Sequence, residues 1–175
     1  ELQKLAIKKK TKIVFQLYKS SLVTQGRNLC VSAFLQTKCT HLLFIDSDIA
    51  FKPISLKHLL DANKDVISVP YPLKDMCWDK GLELIENGRI KDTEDLRTRA
   101  FYRFPMRVPD ASNINIDNHV IEITHAPTGF MLIKREIINK LCEKHTELII
   151  KTDNLNKANN TICGLFCCMI KDNAY

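Results

Sequence analysis

No apolar run in the 175 residues approaches the roughly 20 consecutive positions that a helix needs to cross a bilayer, so a membrane-spanning helix is not expected. No Cys-x-x-Cys pair occurs among the seven cysteines, and the cluster Cys163, Cys167 and Cys168 has a spacing that matches no zinc ribbon or finger. The cysteines are therefore expected to be mostly buried free thiols, which favours a reducing, cytoplasmic compartment. No helix-turn-helix or zinc pattern appears, so nucleic acid is not an expected partner. There is no internal repeat and no low-complexity tract. The opening Glu1-Leu2-Gln3-Lys4 has neither an initiator Met nor a signal-peptide pattern and reads as helix interior, which makes a fragment of a longer chain the expectation. Asn159-Asn160-Thr161 is a formal glycosylation sequon and carries no weight without secretion.

What is present is the composition of a globular protein, 45% apolar and 26% charged, at a length that supports one domain with its own core. The net charge is +6, with basic residues gathered at Lys8-Lys9-Lys10 and at Arg97, Arg99, Arg103 and Arg107. Such a surface favours phosphate-bearing ligands, while solvated helix faces and loops are the plainer account of each cluster.

The chemistry concentrates at His41-Leu42-Leu43-Phe44-Ile45-Asp46-Ser47-Asp48. A short unbroken apolar run fits a strand buried on both faces, as in a parallel sheet. Asp is a poor strand residue, so Asp-Ser-Asp is expected where the strand ends, at the carboxyl edge where open α/β sheets hold ligands. Two carboxylates there repel each other unless a cation lies between them, and Mg²⁺ or Mn²⁺ with oxygen ligands is the natural occupant. A helix cap or an exposed turn is the plainer reading, although a cap needs only one Asp.

Around this strand the pattern predicts a basic helix end over 1–10, a strand over 12–18, and a helix over 27–38. A helix from Pro53 and a buried strand over 65–69 follow, giving β-α-β-α-β and a parallel sheet. Residues 71–78 read as a loop that holds Trp78, 80–100 as a charged surface segment, and 102–108 as an edge strand broken by Pro105. Strands over 120–124 and 130–133, a helix over 135–145 and a short strand over 148–150 complete the reading.

Taken in order, Ser21-Leu22-Val23, Arg27-Asn28, Phe44-Ile45-Asp46-Ser47-Asp48-Ile49, Tyr71-Pro72-Leu73-Lys74 with Trp78, and Thr128-Gly129-Phe130-Met131-Leu132-Ile133-Lys134-Arg135 resemble the nucleotide-sugar-dependent glycosyltransferases of the GT-A fold, of the Anp1-like and family-two-like kinds. The resemblance runs from about residue 5 to 175. It implies one GT-A-like domain over 1–175, truncated at both ends: an α/β three-layer α/β/α sandwich whose central sheet is mostly parallel with a small antiparallel part. It implies a nucleoside diphosphate sugar, a UDP- or GDP-sugar, as donor, and a glycan, protein or lipid hydroxyl as acceptor, with Mn²⁺ or Mg²⁺ as cofactor. Asp48 would ligate the metal directly and Asp46 would contact the ribose or reach the metal through water. Ser47, Arg27 and Lys74 would complete the donor side. Trp78, Thr128, Gly129 and His125 would line the acceptor side. Each has a plainer role: Arg27 pairing with a carboxylate, Trp78 packing, Gly129 in a tight turn, and His125 as a structural histidine.

The chain departs from the family in two ways. The strand that binds the nucleotide base is not seen ahead of residues 1–10. The acidic pair that supplies the acceptor-activating base in inverting relatives does not appear before Tyr175, so no catalytic base is assigned, and Asp172 is not promoted to that role on position alone. A haloacid-dehalogenase-type Mg²⁺-dependent phosphatase also places Asp-x-Asp after an apolar strand, with the first Asp as nucleophile. That motif normally opens its domain and is followed by a Gly-Thr-like turn, whereas here a strand and a helix precede it and Ile49-Ala50-Phe51 follows. A domain that binds nucleotide-sugar without turning it over is the non-enzymatic alternative.

Overall fold

Helices and short strands alternate along residues 11–151 and 161–167, the part of the chain that the computed structural model describes. The expected helix over 1–10, Asn159, Asn160, Cys168 and Asp172 lie outside the described residues.

The segment 12–18, expected as a strand, belongs to none of the sheets. Its apolar side chains are exposed, Phe15 and Leu17 by 70% and 85%. A preference for strand is a preference for a half-buried pleated surface, and no described strand offers these residues one. Helix α1, Val23–Leu35, begins four residues earlier than its apolar spacing predicts. Just ahead of it the Ser20 hydroxyl accepts the Leu22 N–H at 3.3 Å, so the expected connector becomes the first helical turn.

Strand β1 is His41–Ile45, the expected range. Helix α2, Pro53–Ala62, starts on a proline, whose fixed φ and missing N–H suit that position. It is followed by Asn63 at φ 49°, the left-handed conformation in which helices often stop. Strand β2 is Val66–Ser68, and helix α3, Trp78–Glu86, takes up Trp78 as its first residue. A short helical turn, Thr93–Asp95, runs into a π-helical turn, Leu96–Ala100. Within 102–108 the structure has isolated bridges in place of the expected edge strand, Met76 with Tyr102 and Arg107 with His125.

A small hairpin pairs β3, Ile116–Asp117, with β4, Val120–Ile121. Its turn residues Asn118 and His119 both have positive φ, the conformation that matches the twist of a two-residue hairpin. Strand β5, Phe130–Lys134, leads directly into helix α4, Arg135–Lys144. Strands β6, Ile149–Lys151, and β7, Thr161–Cys163, form a second antiparallel pair.

The chain is mixed α/β, but the mostly parallel sheet is not what the described strands form. The three-stranded sheet has the order β1-β5-β2. Arg135 N–H donates to Thr40 O and Asp46 N–H to Gly129 O, so β5 runs antiparallel to β1. Lys134 N–H donates to Asp65 O and Val69 N–H to Phe130 O, so β5 also runs antiparallel to β2. Strands β1 and β2 do run the same way, as a β-α-β pattern demands, but a strand from much later in the chain lies between them. The strand buried on both faces is accordingly β5, with Phe130 to Ile133 all buried, while β1 is an edge strand of which only Phe44 is buried.

By its internal packing the chain divides into two units, 1–43 with 63–66 and 132–175, and 44–62 with 67–131. In the first, Val31, Phe34, Ile138 and Cys163 are core residues. The guanidinium of Arg135 donates to Phe34 O at 2.9 Å, Thr37 O at 3.0 Å and Cys39 O at 2.6 Å, and lies 4.2 Å from the Phe34 ring centroid. It thereby ties the end of α1 to the turn after it, beside the Thr37 N–H and hydroxyl that also donate to Phe34 O. The buried Asn28 side chain exchanges hydrogen bonds with the backbone of Phe166, at 2.8 and 3.3 Å. A disulfide joins Cys142 to Cys163, whereas Cys30, Cys39 and Cys77 are half-buried free thiols and Cys167 is exposed. The expectation of mostly buried free thiols is departed from at this bonded pair, which links α4 to β7. In the second unit the core holds Phe44, Leu56, Leu59, Ala100, Phe130 and Met131.

Candidate functional site

The middle strand of an antiparallel triplet begins where its neighbours end. The start of β5 therefore lies at the same sheet edge as the ends of β1 and β2, and three loops meet there, all in the second unit.

The first loop is Asp46-Ser47-Asp48-Ile49. Asp46 N–H donates to Gly129 O at 2.8 Å, the last ladder bond of β1. Ile49 N–H then donates back to Asp46 O at 3.1 Å, which closes a four-residue turn. Ser47 and Asp48 stand exposed on this turn, and Asp46 is half-buried at its base. Beyond it, the Phe51 ring packs on that of Phe130, centroids 4.9 Å apart. The acidic turn is thus tied to β5 on both sides.

The second loop follows β2 and brings Tyr71 and Lys74. The Lys74 ammonium meets the Asp48 carboxylate at 2.6 Å. That hydrogen bond, and then the charge behind it, holds the Asp48 carboxyl below its ordinary value and Lys74 above its own. The backbone of this loop is anchored by Leu73 N–H donating to Arg103 O at 2.8 Å and Cys77 N–H to Phe101 O at 2.8 Å. Asp75 forms an ion pair with Arg103.

The third loop is Thr128-Gly129. Gly129 N–H donates to the Tyr71 hydroxyl at 3.2 Å. A Cβ on Gly129 would lie 2.7 Å from that hydroxyl and 2.8 Å from Ile49 Cδ1, closer than such contacts occur. Glycine is required here for closeness of approach, and the three loops meet on its bare α-carbon.

The structure brings together Asp46, Asp48, Lys74, Thr128 and Gly129 of the residues singled out in the sequence, with Ser47 between the two carboxylates. Trp78 opens α3, is 60% exposed, and packs one side on Phe101, ring centroids 5.0 Å apart. His125 is exposed and shares a hydrogen bond with its neighbour Thr124 at 3.1 Å. Arg27 belongs to the first unit, where it is buried in α1 and its charge opposes the rise that burial gives the Cys30 thiol. Tyr71 is the site residue that sequence reasoning did not single out. Its signal was indirect: Gly129 needs something to lie against, and Tyr71 follows the strand that ends at the same edge.

The donor set fits a hard divalent cation. Ser47 and Asp48 offer oxygen atoms from an exposed turn with Asp46 half-buried at its base, and an ammonium already stands as a cation on Asp48. Among the described residues no group of three or more His, Cys, Asp or Glu side chains gathers. Mg²⁺ and Mn²⁺ do not need one, because they take one or two carboxylates and fill their remaining positions with water and substrate phosphates. A turn of this kind suits a ligand that brings its own phosphate oxygens. No family model, no curated protein and no solved structure matches the chain.

Proposed function

We propose that this chain is the donor-binding part of a metal-dependent glycosyltransferase, which moves a sugar from a UDP- or GDP-sugar to a hydroxyl of a glycan, protein or lipid. The observation that carries the reading is the meeting of Asp48, Lys74 and the Gly129 turn at one sheet edge. In this reading the three strands are the antiparallel part of a GT-A-like three-layer domain.

Asp48 and Asp46 hold the cation at the strand end, and Ser47 keeps their spacing. When bound, Mn²⁺ or Mg²⁺ stabilises the negative charge that gathers on the departing diphosphate. Lys74 adds a second positive charge, and because its loop is anchored at Leu73 and Cys77 its ammonium is aimed before the donor arrives. Gly129, without a side chain, lets Tyr71 and Ile49 close on the turn beside Thr128, which faces the acceptor in this reading. The exposed face of Trp78 offers a flat apolar surface to a sugar ring. His125 is a secondary contact to the acceptor in this reading.

The deciding experiment measures hydrolysis of UDP-, GDP- and CDP-sugars with and without Mn²⁺. The expected outcome is metal-dependent release of one nucleotide, reduced about 10²-fold or more in Asp48→Ala with the fold intact. Full activity in that variant would defeat the metal assignment. Hydrolysis of an aryl phosphate without any nucleotide-sugar hydrolysis, abolished by Asp46→Asn, would instead favour the phosphatase reading.

A further inference from the structure

The contact between Lys74 and Asp48 has a consequence for how the site fills. The carboxylate best placed to receive a divalent cation already carries a cation of the chain's own, 2.6 Å away. Both side chains are exposed, Lys74 by 83% and Asp48 by 52%, so the ammonium can leave at little cost. The backbone beneath Lys74 is not free to follow. Leu73 is bonded to Arg103, Cys77 to Phe101, and Asp75 is paired with Arg103. Exchange therefore takes place by rotation of the four-carbon stem over a fixed loop.

We propose that Lys74 is an internal counter-ion of the acidic turn, displaced from Asp48 by a divalent cation and recaptured by the diphosphate that arrives with it. This rests on the reading of Asp46-Ser47-Asp48 as a metal-diphosphate site. In the resting protein Lys74 screens Asp48 and weakens binding of the bare ion. When the ion takes Asp48, the released ammonium loses the carboxylate it is paired with, and the arriving diphosphate is the stronger anion to recapture it. Ion and nucleotide then each favour the other, as linkage requires. The site is guarded against a bare metal ion and accepts the metal-nucleotide pair.

The test is calorimetric titration of the full chain with Mn²⁺ alone, UDP alone, and UDP at saturating Mn²⁺. The proteins are the wild type, Lys74→Met, Asp48→Asn and Lys57→Met. The last removes one positive charge from α2, where Lys57 pairs with Asp61, and controls for net charge. Removing the screening ammonium is expected to tighten binding of Mn²⁺ alone about fivefold or more, and to weaken UDP binding at saturating Mn²⁺ by a similar factor, as coupling of ordinary size implies. Lys57→Met is expected to change neither. Unchanged or weaker Mn²⁺ binding in Lys74→Met, with Mn²⁺ binding lost in Asp48→Asn, would overturn the counter-ion proposal and leave the metal site standing. Mn²⁺ binding that is absent, or indifferent to Asp48→Asn, would overturn both.

Discussion

A methyl group at position 129 would press on the Tyr71 hydroxyl and ring carbon and on the Ile49 terminal methyl together, and the rigid Tyr71 ring cannot yield by a simple bend. Gly129→Ala is therefore expected to cost about 1–3 kcal/mol of stability, the usual cost of overpacking, and to weaken nucleotide binding as the loops part. Urea denaturation and a UDP-Mn²⁺ titration check this together, and unchanged values in both would mean the loops do not meet as described. Removing the Tyr71 hydroxyl with Tyr71→Phe leaves the ring in place and deletes one acceptor, at about 0.5–1.5 kcal/mol. At the neighbouring ion pair, pH acts only at the extremes. Asp48 has a depressed folded value, so its contribution is present above the ordinary value of 3.8 and is lost as the pH falls through the lower folded one. Lys74 has a raised folded value, so its contribution is present below 10.5 and is lost as the pH rises through the folded one. Carboxyl-detected NMR is expected to place the Asp48 midpoint below 3.8, moving upward in Lys74→Met. A wild-type midpoint at or above that value would remove the ion pair.

Among the elements, the joint between β5 and α4 carries the most. Arg135 gathers three carbonyls from the end of α1 and the turn after it, a geometry that depends on the planar fork of the guanidinium. Arg135→Lys keeps the charge and loses the fork, with an expected loss of about 3 kcal/mol, since hydrogen bonds from a charged donor are among the stronger ones. A fall in thermal midpoint with unchanged nucleotide binding would separate this role from the site. Phe130→Ala, beneath the acidic turn, is expected to cost about 3–5 kcal/mol and to lower binding as well. The elements also mark where sequence reading succeeds. Strand β1 is legible because an apolar run ends abruptly in two carboxylates, and α2 because proline opens it with leucines at helical spacing. The order β1-β5-β2 is not legible, because nothing in Phe130 to Ile133 says between which earlier strands it inserts. The segment 12–18 misled for the opposite reason. Its residues suit a strand, but suitability is realised only against a partner.

For the molecule as a whole, the cysteines offer the clearest measurement. Cys142 and Cys163 stand 21 residues apart, and a bond closing a loop of that length restrains the unfolded chain by about 3 kcal/mol. Adding a thiol reductant, or replacing Cys142 with Ser, is expected to lower the thermal midpoint. An unchanged midpoint would show two free thiols, as the odd count and irregular spacing imply from sequence alone. The candidate site was more legible than the fold that carries it. Asp46, Asp48, Lys74 and Gly129 are each of a residue type that loop chemistry needs, whereas Tyr71 is recognisable only after the strands are laid side by side.

The bond from Asp46 to Gly129 also sets a timetable. These residues bound everything the chain makes between the first strand and the middle one, α2, β2, α3 and the β3–β4 hairpin included. Closing so long an excursion costs entropy before any contact repays it, and pairings of this kind form slowly. On a ribosome the two carboxylates emerge early and remain without their partner loops until β5 has cleared the exit tunnel. In the proposed reading the newborn chain therefore gains its nucleotide site only once β5 has emerged whole, and the last ladder bond of β1 is also the step that completes it.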